Sequence, residues 1–338
     1  MSRWITMAWI AFLFSIPIWM TDLYFLHILI TTGIFTIAAI SLNLLLGYTG
    51  QLSLGHVAFF GIGAYTSALI SLGFDLEISD SYTFIFQPQP VWLAFVSGIV
   101  VSGLFGWFIG KIAFKVRGAY FVIVTISFAE VVRLISLNWI DLTEGPMALN
   151  NILPFTLGVS GVWEQTFYQK VPNYYLVLII SIISYVIVRR LVLSRAGRAM
   201  IALRENETLA SSVGIDVTRY LVLATIVSAA IAGAAGGLYT HYIRIVDPDI
   251  FLFIYTVTMV IMVITGGKGT LVGPIIGGII FGILPEVLRE VASPEVQWII
   301  YGVFMIAIVF FLPKGIVPAL TAWWADRFKS DSHVGEAV

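Results

Sequence analysis

Gly47-Tyr48-Thr49-Gly50-Gln51-Leu52-Ser53-Leu54-Gly55-His56 lies between two hydrophobic runs, and Gly61 and Gly63 follow it. Glycines and hydrogen-bonding side chains here interrupt what would otherwise be one long hydrophobic hairpin. Irregular backbone at membrane depth survives only where protein buries it or water reaches it. Membrane carriers use such broken helices to line a solute path. Small residues also let helices pack closely, which is the plainer reading. Asn43, Thr49, Gln51, Ser53 and His56 bring more polarity than packing alone requires, so they are the candidate pathway residues. A serine nucleophile at Ser53 with His56 as its base is a third reading. Three residues of spacing establish neither a base within hydrogen-bond reach nor an oxyanion hole.

Hydrophobic runs extend over the rest of the chain. Of 338 residues, 59% are apolar and 11% charged, against about 45–50% and about 25% in soluble domains. At about 20 residues per span this is material for about ten spans, and it excludes an ordinary soluble enzyme. Lys and Arg total 18 and Asp and Glu 19, a net charge of -1 that argues against nucleic acid as a partner. The absence of cysteine excludes disulfides, thiolate metal sites and a cysteine nucleophile. His27, His56, His241 and His333 are too scattered in sequence to suggest a metal cluster. The expected fold class is therefore all-α: a polytopic integral membrane protein with one transmembrane domain over 1–338. Spans are expected near 4–20, 23–46, 51–72, 91–110, 119–138, 173–192, 219–240, 252–266, 270–285 and 297–313, the third and ninth glycine-broken. The first has only Arg3 ahead of it and no small-x-small cleavage site before Thr21-Asp22, so it reads as a span rather than a signal peptide.

Orientation follows from the basic residues. With a cytoplasmic N-terminus, the inner segments hold Arg3, then Lys111, Lys115 and Arg117, six arginines between Arg189 and Arg219, Lys268, and finally Lys314, Arg327 and Lys329. The outer segments hold Lys170, Arg244 and Arg289, so the count is 14 against 3, with Arg133 inside a span. Both termini are expected in the cytoplasm. The outer loop 73–90 agrees: it carries Asp75, Glu77 and Asp80 without a basic residue, and Pro88 and Pro90 end it. The outer connection 139–172 has turn signals at Gly145-Pro146 and Pro154. Ten tryptophans, with Trp323-Trp324 among them, suit an aromatic belt.

Three further features bear on mechanism. Gly266-Gly267-Lys268-Gly269-Thr270-Leu271-Val272-Gly273-Pro274, with Gly277-Gly278, is a second glycine-rich stretch. A shift of 219 residues superposes Gly47 on Gly266, Gly50 on Gly269 and Leu52 on Leu271. This suggests a weak internal repeat whose two breaks flank one pathway. The inner loop 193–218 reads as a short amphipathic helix with Met200, Leu203 and, after a short break, Leu209 and Val213 near helical spacing, and Gly214 as its stop. Such a helix suits a partner's groove. A position in the lipid interface is the alternative, although Glu205, Glu207 and Asp216 would be repelled by anionic lipid. Glu130 and Arg133 share one face of the fifth span, either as a structural ion pair or as a solute contact. No G-x-x-x-x-G-K-[ST] loop occurs, so any ATP used must be handled by another polypeptide.

Six blocks carry a family resemblance: the run 43–65; Arg117-Gly118 with Tyr120 through Phe128-Ala129-Glu130; 143–147; 197–214; 266–274; and Pro313-Lys314-Gly315. In this order they resemble the permease subunits of branched-chain amino-acid ABC transporters of the LivM type. The sequence departs from the family at Glu144, where glycine is more usual, and at Ala148-Leu149, in place of Gly-Leu or Gly-Ile. Both departures lie in the outer loop. The resemblance implies a non-enzymatic ABC importer subunit in the bacterial cytoplasmic membrane, binding no cofactor itself. Its implied partners are a second homologous permease, two ABC ATPases that use the ATP, a periplasmic or extracellular solute-binding protein and the lipid bilayer. It also implies that the inner loop is a coupling element for an ATPase, carried by Arg198, Arg204, Glu205, Asn206, Glu207 and Gly214. Related permeases carry urea or short-chain amides. A stand-alone secondary carrier and an intramembrane hydrolase using Ser53 and His56 are the rival readings.

Overall fold

A computed structural model of the chain describes residues 3–19, 22–79, 82–116, 118–159, 163–289 and 293–330. Thr21, Asp80, Arg117 and His333, which the sequence reading uses, lie outside the described residues. Hydrocarbon offers no partner to a peptide N–H or C=O, so the apolar runs close their hydrogen bonds internally as helices. In chain order these are α1 (Arg3–Trp19), α2 (Leu23–Asn43), α3 (Val57–Leu72), α4 (Val91–Ala113) and α5 (Ala119–Asn138). After a one-turn α6 (Ile140–Thr143) come α7 (Lys170–Leu193), α8 (Arg195–Glu205), α9 (Glu207–Ser212) and α10 (Val217–Ile243). The chain then forms α11 (Phe253–Gly266), α12 (Gly273–Arg289), α13 (Pro294–Phe311) and α14 (Ile316–Ser330).

Five helices among the described residues are long and apolar enough to cross a membrane by length and composition: Leu23–Thr49, Val91–Ala113, Ala119–Asn138, Lys170–Leu193 and Val217–Ile243. Shorter apolar helices accompany them, α3 and α11 included. The 14 residues of α11 rise only about 21 Å, short of a hydrocarbon core of about 30 Å. Non-helical backbone makes up the difference. It consists of the 3-10 turn Pro248–Phe251 before α11 and the glycine-rich stretch after it.

The centre of the bundle is α2 and α10, whose apolar windows are 78% buried, against 22% for α5 and α7. Glycine sets the spacing there. A Cβ on Gly63 of α3 would strike the backbone of Gly233 on α10, and one on Gly236 would strike that of Phe60. On α12, Gly278 and Gly282 take up Thr36 and Thr32 of α2 in the same way. These contacts correct the sequence reading of two spans. Gly61, Gly63, Gly277 and Gly278 do not interrupt α3 or α12; they lie inside unbroken helices at close contacts, and the irregular backbone precedes each helix.

Two connections read as outer loops fold into antiparallel hairpins that the sequence reading does not contain. They are β1 (Phe74–Ser79) with β2 (Tyr82–Phe86), and β3 (Thr156–Val159) with β4 (Trp163–Thr166). Leu149 and Val246 form a two-way backbone bridge that ties the second connection to the chain after α10. Helix α14 was likewise not anticipated, because its amphipathic sequence falls below the hydrophobicity of a span.

Candidate functional site

The first break begins where α2 runs on as a π-helical turn over Leu44–Thr49, closed by Gly50 at φ 74°. The second follows α11, with Gly267 at φ 119° and Gly269 at φ 74°. Gly50 and Gly269, paired by the 219-residue offset, thus share a left-handed φ that costs glycine little. The two turns touch. Asn43, only 2% exposed, donates from Nδ2 to the Thr270 carbonyl at 2.8 Å and accepts at Oδ1 from the Gly269 N–H at 2.9 Å. A Cβ on Gly47 would run into both Asn43 and the Gly269 backbone. Thr270 holds the second turn itself, donating to the Gly267 carbonyl at 2.7 Å and accepting from the Gly273 N–H at 3.0 Å.

The inner loop joins the same cluster. Arg204, near the end of α8, donates from Nη1 to the Gly47 carbonyl at 2.8 Å. Its Nε and Nη2 donate to Glu205 Oε1, which anchors the guanidinium at 3.1 and 2.6 Å. Gly50 and Gly269 lie close enough that a Cβ on either would meet the Arg204 side chain. Arg204 of the coupling set and Asn43 of the pathway set therefore brace one pair of turns.

The short break read after Leu203 divides the inner loop into two helices in place of one. Asn206 adopts an extended conformation and its side chain accepts from the Leu209 N–H at 2.9 Å, so it ends α8 and caps α9. Ser194 and Asp216 cap α8 and α10 in the same way. The break splits the apolar stripe: Met200 and Leu203 are buried in the chain's own bundle, whereas Leu209 and Val213 are 63% and 71% exposed. Arg198 and Glu205 are exposed, and Glu207 opens α9, where a carboxylate suits the positive helix end. Gly214 stops α9 at φ 87°, as its position suggests.

Deeper in the first break, Thr49, Ser53 and His56 are all but fully buried, and Gln51 is half-buried. Thr49 donates to the Leu45 carbonyl at 2.7 Å within its own turn. His56 Nε2 lies 2.7 Å from Ser41 Oγ. The Ser41 hydroxyl donates to the Ala38 carbonyl, so it accepts from an Nε2–H tautomer of His56. Nδ1 is left without a partner among the described residues. His56 is thus engaged with Ser41 of α2, a pairing that spacing within 47–56 could not indicate. Another polar tie missed from sequence is Ser67 with His241, 2.7 Å apart, where His241 Nδ1 also faces the Leu153 carbonyl.

On the opposite side of the bundle, two cavities of about 330 and 370 Å³ share Tyr168, Ile243 and Arg244. The Arg244 guanidinium lies 4.9 Å from the centre of the Tyr168 ring. Glu130 and Arg133 of α5 form the ion pair their spacing suggests, with Arg133 donating from Nε and Nη2 to the carboxylate. Among the described residues no group of His, Asp or Glu could hold a metal ion.

Comparison with known proteins gives a consistent family. The profile described as branched-chain amino acid transport system / permease component matches residues 24–309. The chain is 30% identical to the high-affinity branched-chain amino acid transport system permease protein LivM of Salmonella typhimurium, over 85% of this chain and 68% of that protein. It is 26% identical to LivH of the same organism, over 87% of this chain and 96% of that one. A probable LivM of Methanocaldococcus jannaschii is 24% identical over 86% of this chain and 92% of its own length. No solved structure matches.

Proposed function

Since the chain belongs to the permease-component family of branched-chain amino-acid transport systems, we propose that it is one permease subunit of an ABC importer that carries leucine, isoleucine and valine across the cytoplasmic membrane. It spans the membrane about ten times with both termini inside, and it is not itself a catalyst. The similarity to both LivM and LivH supports a second, homologous permease beside it. Two separate ATPases bind and hydrolyse the ATP, and a solute-binding protein delivers the amino acid outside.

One observation carries the reading: the inner loop is bonded through Arg204 to the paired breaks, while Leu209 and Val213 remain exposed beside it. A partner that seats the α9 face can then move α8, and Arg204 passes the movement to the turns that Asn43 clamps. Such a linkage has a use where the motor is on another chain. In Asn43, Thr49, Gln51, Ser53 and His56 the first break supplies the polar part of the pathway wall, which changes shape as the breaks move.

The test is reconstitution. This chain alone in vesicles takes up no leucine, and addition of the second permease, both ATPases and the loaded binding protein produces ATP-dependent uptake. Uptake by the single chain, driven by an ion gradient, would favour a secondary carrier. Binding of urea or an amide in place of leucine by the cognate binding protein would change the substrate and leave the architecture standing.

A further inference from the structure

The exposed faces of three peripheral helices differ in kind. On α4 the outward positions include Val96, Val100 and Leu104, and on α7 they include Ile179, Ile183 and Ile187. Both faces suit lipid. On α5, beside the exposed apolar Val131 and Ile135, a second exposed stripe runs Ile123, Ser127, Glu130, Leu134 and Asn138, at spacings of three and four that hold one helix face. The Glu130 side chain is 51% exposed and that of Arg133 22%.

Glu130 stands eight residues before the end of α5 at Asn138, or about 12 Å in from that end. A charged pair exposed at this depth cannot face hydrocarbon; such groups turn to protein or to water. A second element meets it there. Asp249, on the turn Pro248–Phe251, presents Oδ1 4.0 Å from Arg133 Nη1, with its own side chain 69% exposed. That turn therefore reaches below the outer end of α5. Arg133 spends Nε and Nη2 on Glu130, while Nη1 lies beyond hydrogen-bond distance of Asp249 and keeps donors to offer.

We propose that this face of α5, with the turn bearing Asp249, walls a water-filled passage and binds the zwitterionic head of an amino acid, its carboxylate on Arg133 and its ammonium between Glu130 and Asp249. The inference rests on the importer reading above and adds to it the part of the solute that is recognised inside the membrane. Ile123 and Leu134 on the same stripe leave apolar surface for an aliphatic side chain. A neutral solute such as urea has no use for a fixed cation flanked by two carboxylates.

Two measurements on the assembled complex test it. The chain has no cysteine, so single cysteines report cleanly when labelling of this chain is read by mass. Ser127→Cys and Leu134→Cys should react with a membrane-impermeant methanethiosulfonate added outside, and Ile183→Cys on α7 should not. Protection of both α5 positions would mean a dry contact or lipid and would overturn the passage. In uptake assays, Arg133→Gln should lower leucine transport at least tenfold while assembly and ATPase stimulation by the loaded binding protein persist. The exchange Glu130→Arg with Arg133→Glu rebuilds the ion pair with reversed polarity, so assembly should again persist and uptake should stay low. Full uptake by the exchanged protein would make the pair purely structural and overturn the site. If the unaltered complex moves no amino acid at all, the importer reading fails; normal uptake with Arg133→Gln unaffected removes only the zwitterion site.

Discussion

The two breaks have the same offset in sequence and the same left-handed glycine, yet they hold their irregular backbone in place by different means. The first, over 44–56, is mostly buried, with Gly50 exposed and Gln51 half-buried, and encloses its polar side chains Thr49, Ser53 and His56. The second, over 267–272, is half-exposed at Lys268, Gly269 and Thr270 and has Thr270 as its local anchor. Its other anchor comes from the first break, since Asn43 satisfies both a donor and an acceptor of 269–270. The second turn therefore leans on the first for two of its backbone hydrogen bonds, and Arg204 reaches the pair through Gly47 of the first. A motor pulling on the inner loop would load the first break and drag the second with it.

The harshest way to break this arrangement is at Gly47. An added methyl there meets Asn43 and the Gly269 backbone together, with no flexible side chain able to yield on the Gly269 side. Gly47→Ala should cost more than about 3 kcal/mol, the range of severe core overpacking, and be seen as lost yield and a lowered melting point in detergent. A normally stable Gly47→Ala protein would mean that the breaks need not touch. Next in size is Asn43→Leu, which leaves the half-buried Gly269 N–H and Thr270 carbonyl without their partner, at about 1 kcal/mol for each bond lost. Hydrogen exchange should rise over 267–272 and stay low over 44–49. The reverse pattern would invert the dependence.

A finer comparison uses the matched glycines. Gly50→Ala and Gly269→Ala both meet left-handed backbone strain, of about 1–2 kcal/mol in the αL region that Gly50 occupies. Their surroundings differ: a Cβ on Gly50 would lie 3.1 Å from Arg204 Cγ, whereas one on Gly269 would lie 2.7 Å from Arg204 Nη1 and 2.8 Å from the Gly47 carbonyl. Gly269→Ala should therefore be the less stable in thermal melts, and equal melting points would make the two turns interchangeable. Arg204→Ala should leave the fold in place but weaken coupling about tenfold, within the usual range of allosteric coupling energies. The readout is leucine imported per ATP hydrolysed in the reconstituted complex.

Much of this was legible in the sequence because membrane helices are encoded by composition and length. Hydrophobic runs place ten helices close to their expected ranges, and the glycine-rich stretches mark where irregular backbone lies. The 219-residue offset foreshadowed the matching φ of Gly50 and Gly269. Periodicity could not tell which glycines turn the chain and which let helices approach, since Gly50 and Gly63 look alike until their neighbours are known. Nor could it find the partners of Asn43, His56 and Arg204, which lie 227, 15 and 157 residues away. The inner loop was legible only in part for a related reason: its pattern shows a short break after Leu203 but not what that break does. An apolar stripe at helical spacing does not reveal that Asn206 will cap a new helix and turn half of it outward.

The outer loop offers the mildest contrast, because there the chain enters the left-handed region without glycine. Glu144 has φ 56° and Ala148 φ 61°, and these are the positions where the family resemblance leads one to expect glycine. Ala148 combines its positive φ with ψ 146°, a region adopted almost solely by glycine, at a cost of order 1–3 kcal/mol. Its surroundings impose the conformation: Asn150 Nδ2 donates to the Ala148 carbonyl at 2.8 Å, and Leu149 is locked to Val246 by paired backbone bonds. Ala148→Gly relieves the strain and loosens the unfolded chain, which offsets part of the gain. A net stabilisation of about 1 kcal/mol is expected, with a smaller one for Glu144→Gly, whose αL conformation is the cheaper of the two. If thermal melts show the breaks intolerant of alanine while Ala148→Gly is neutral, the methyl of Ala148, itself only 9% exposed, recovers through packing what its backbone loses.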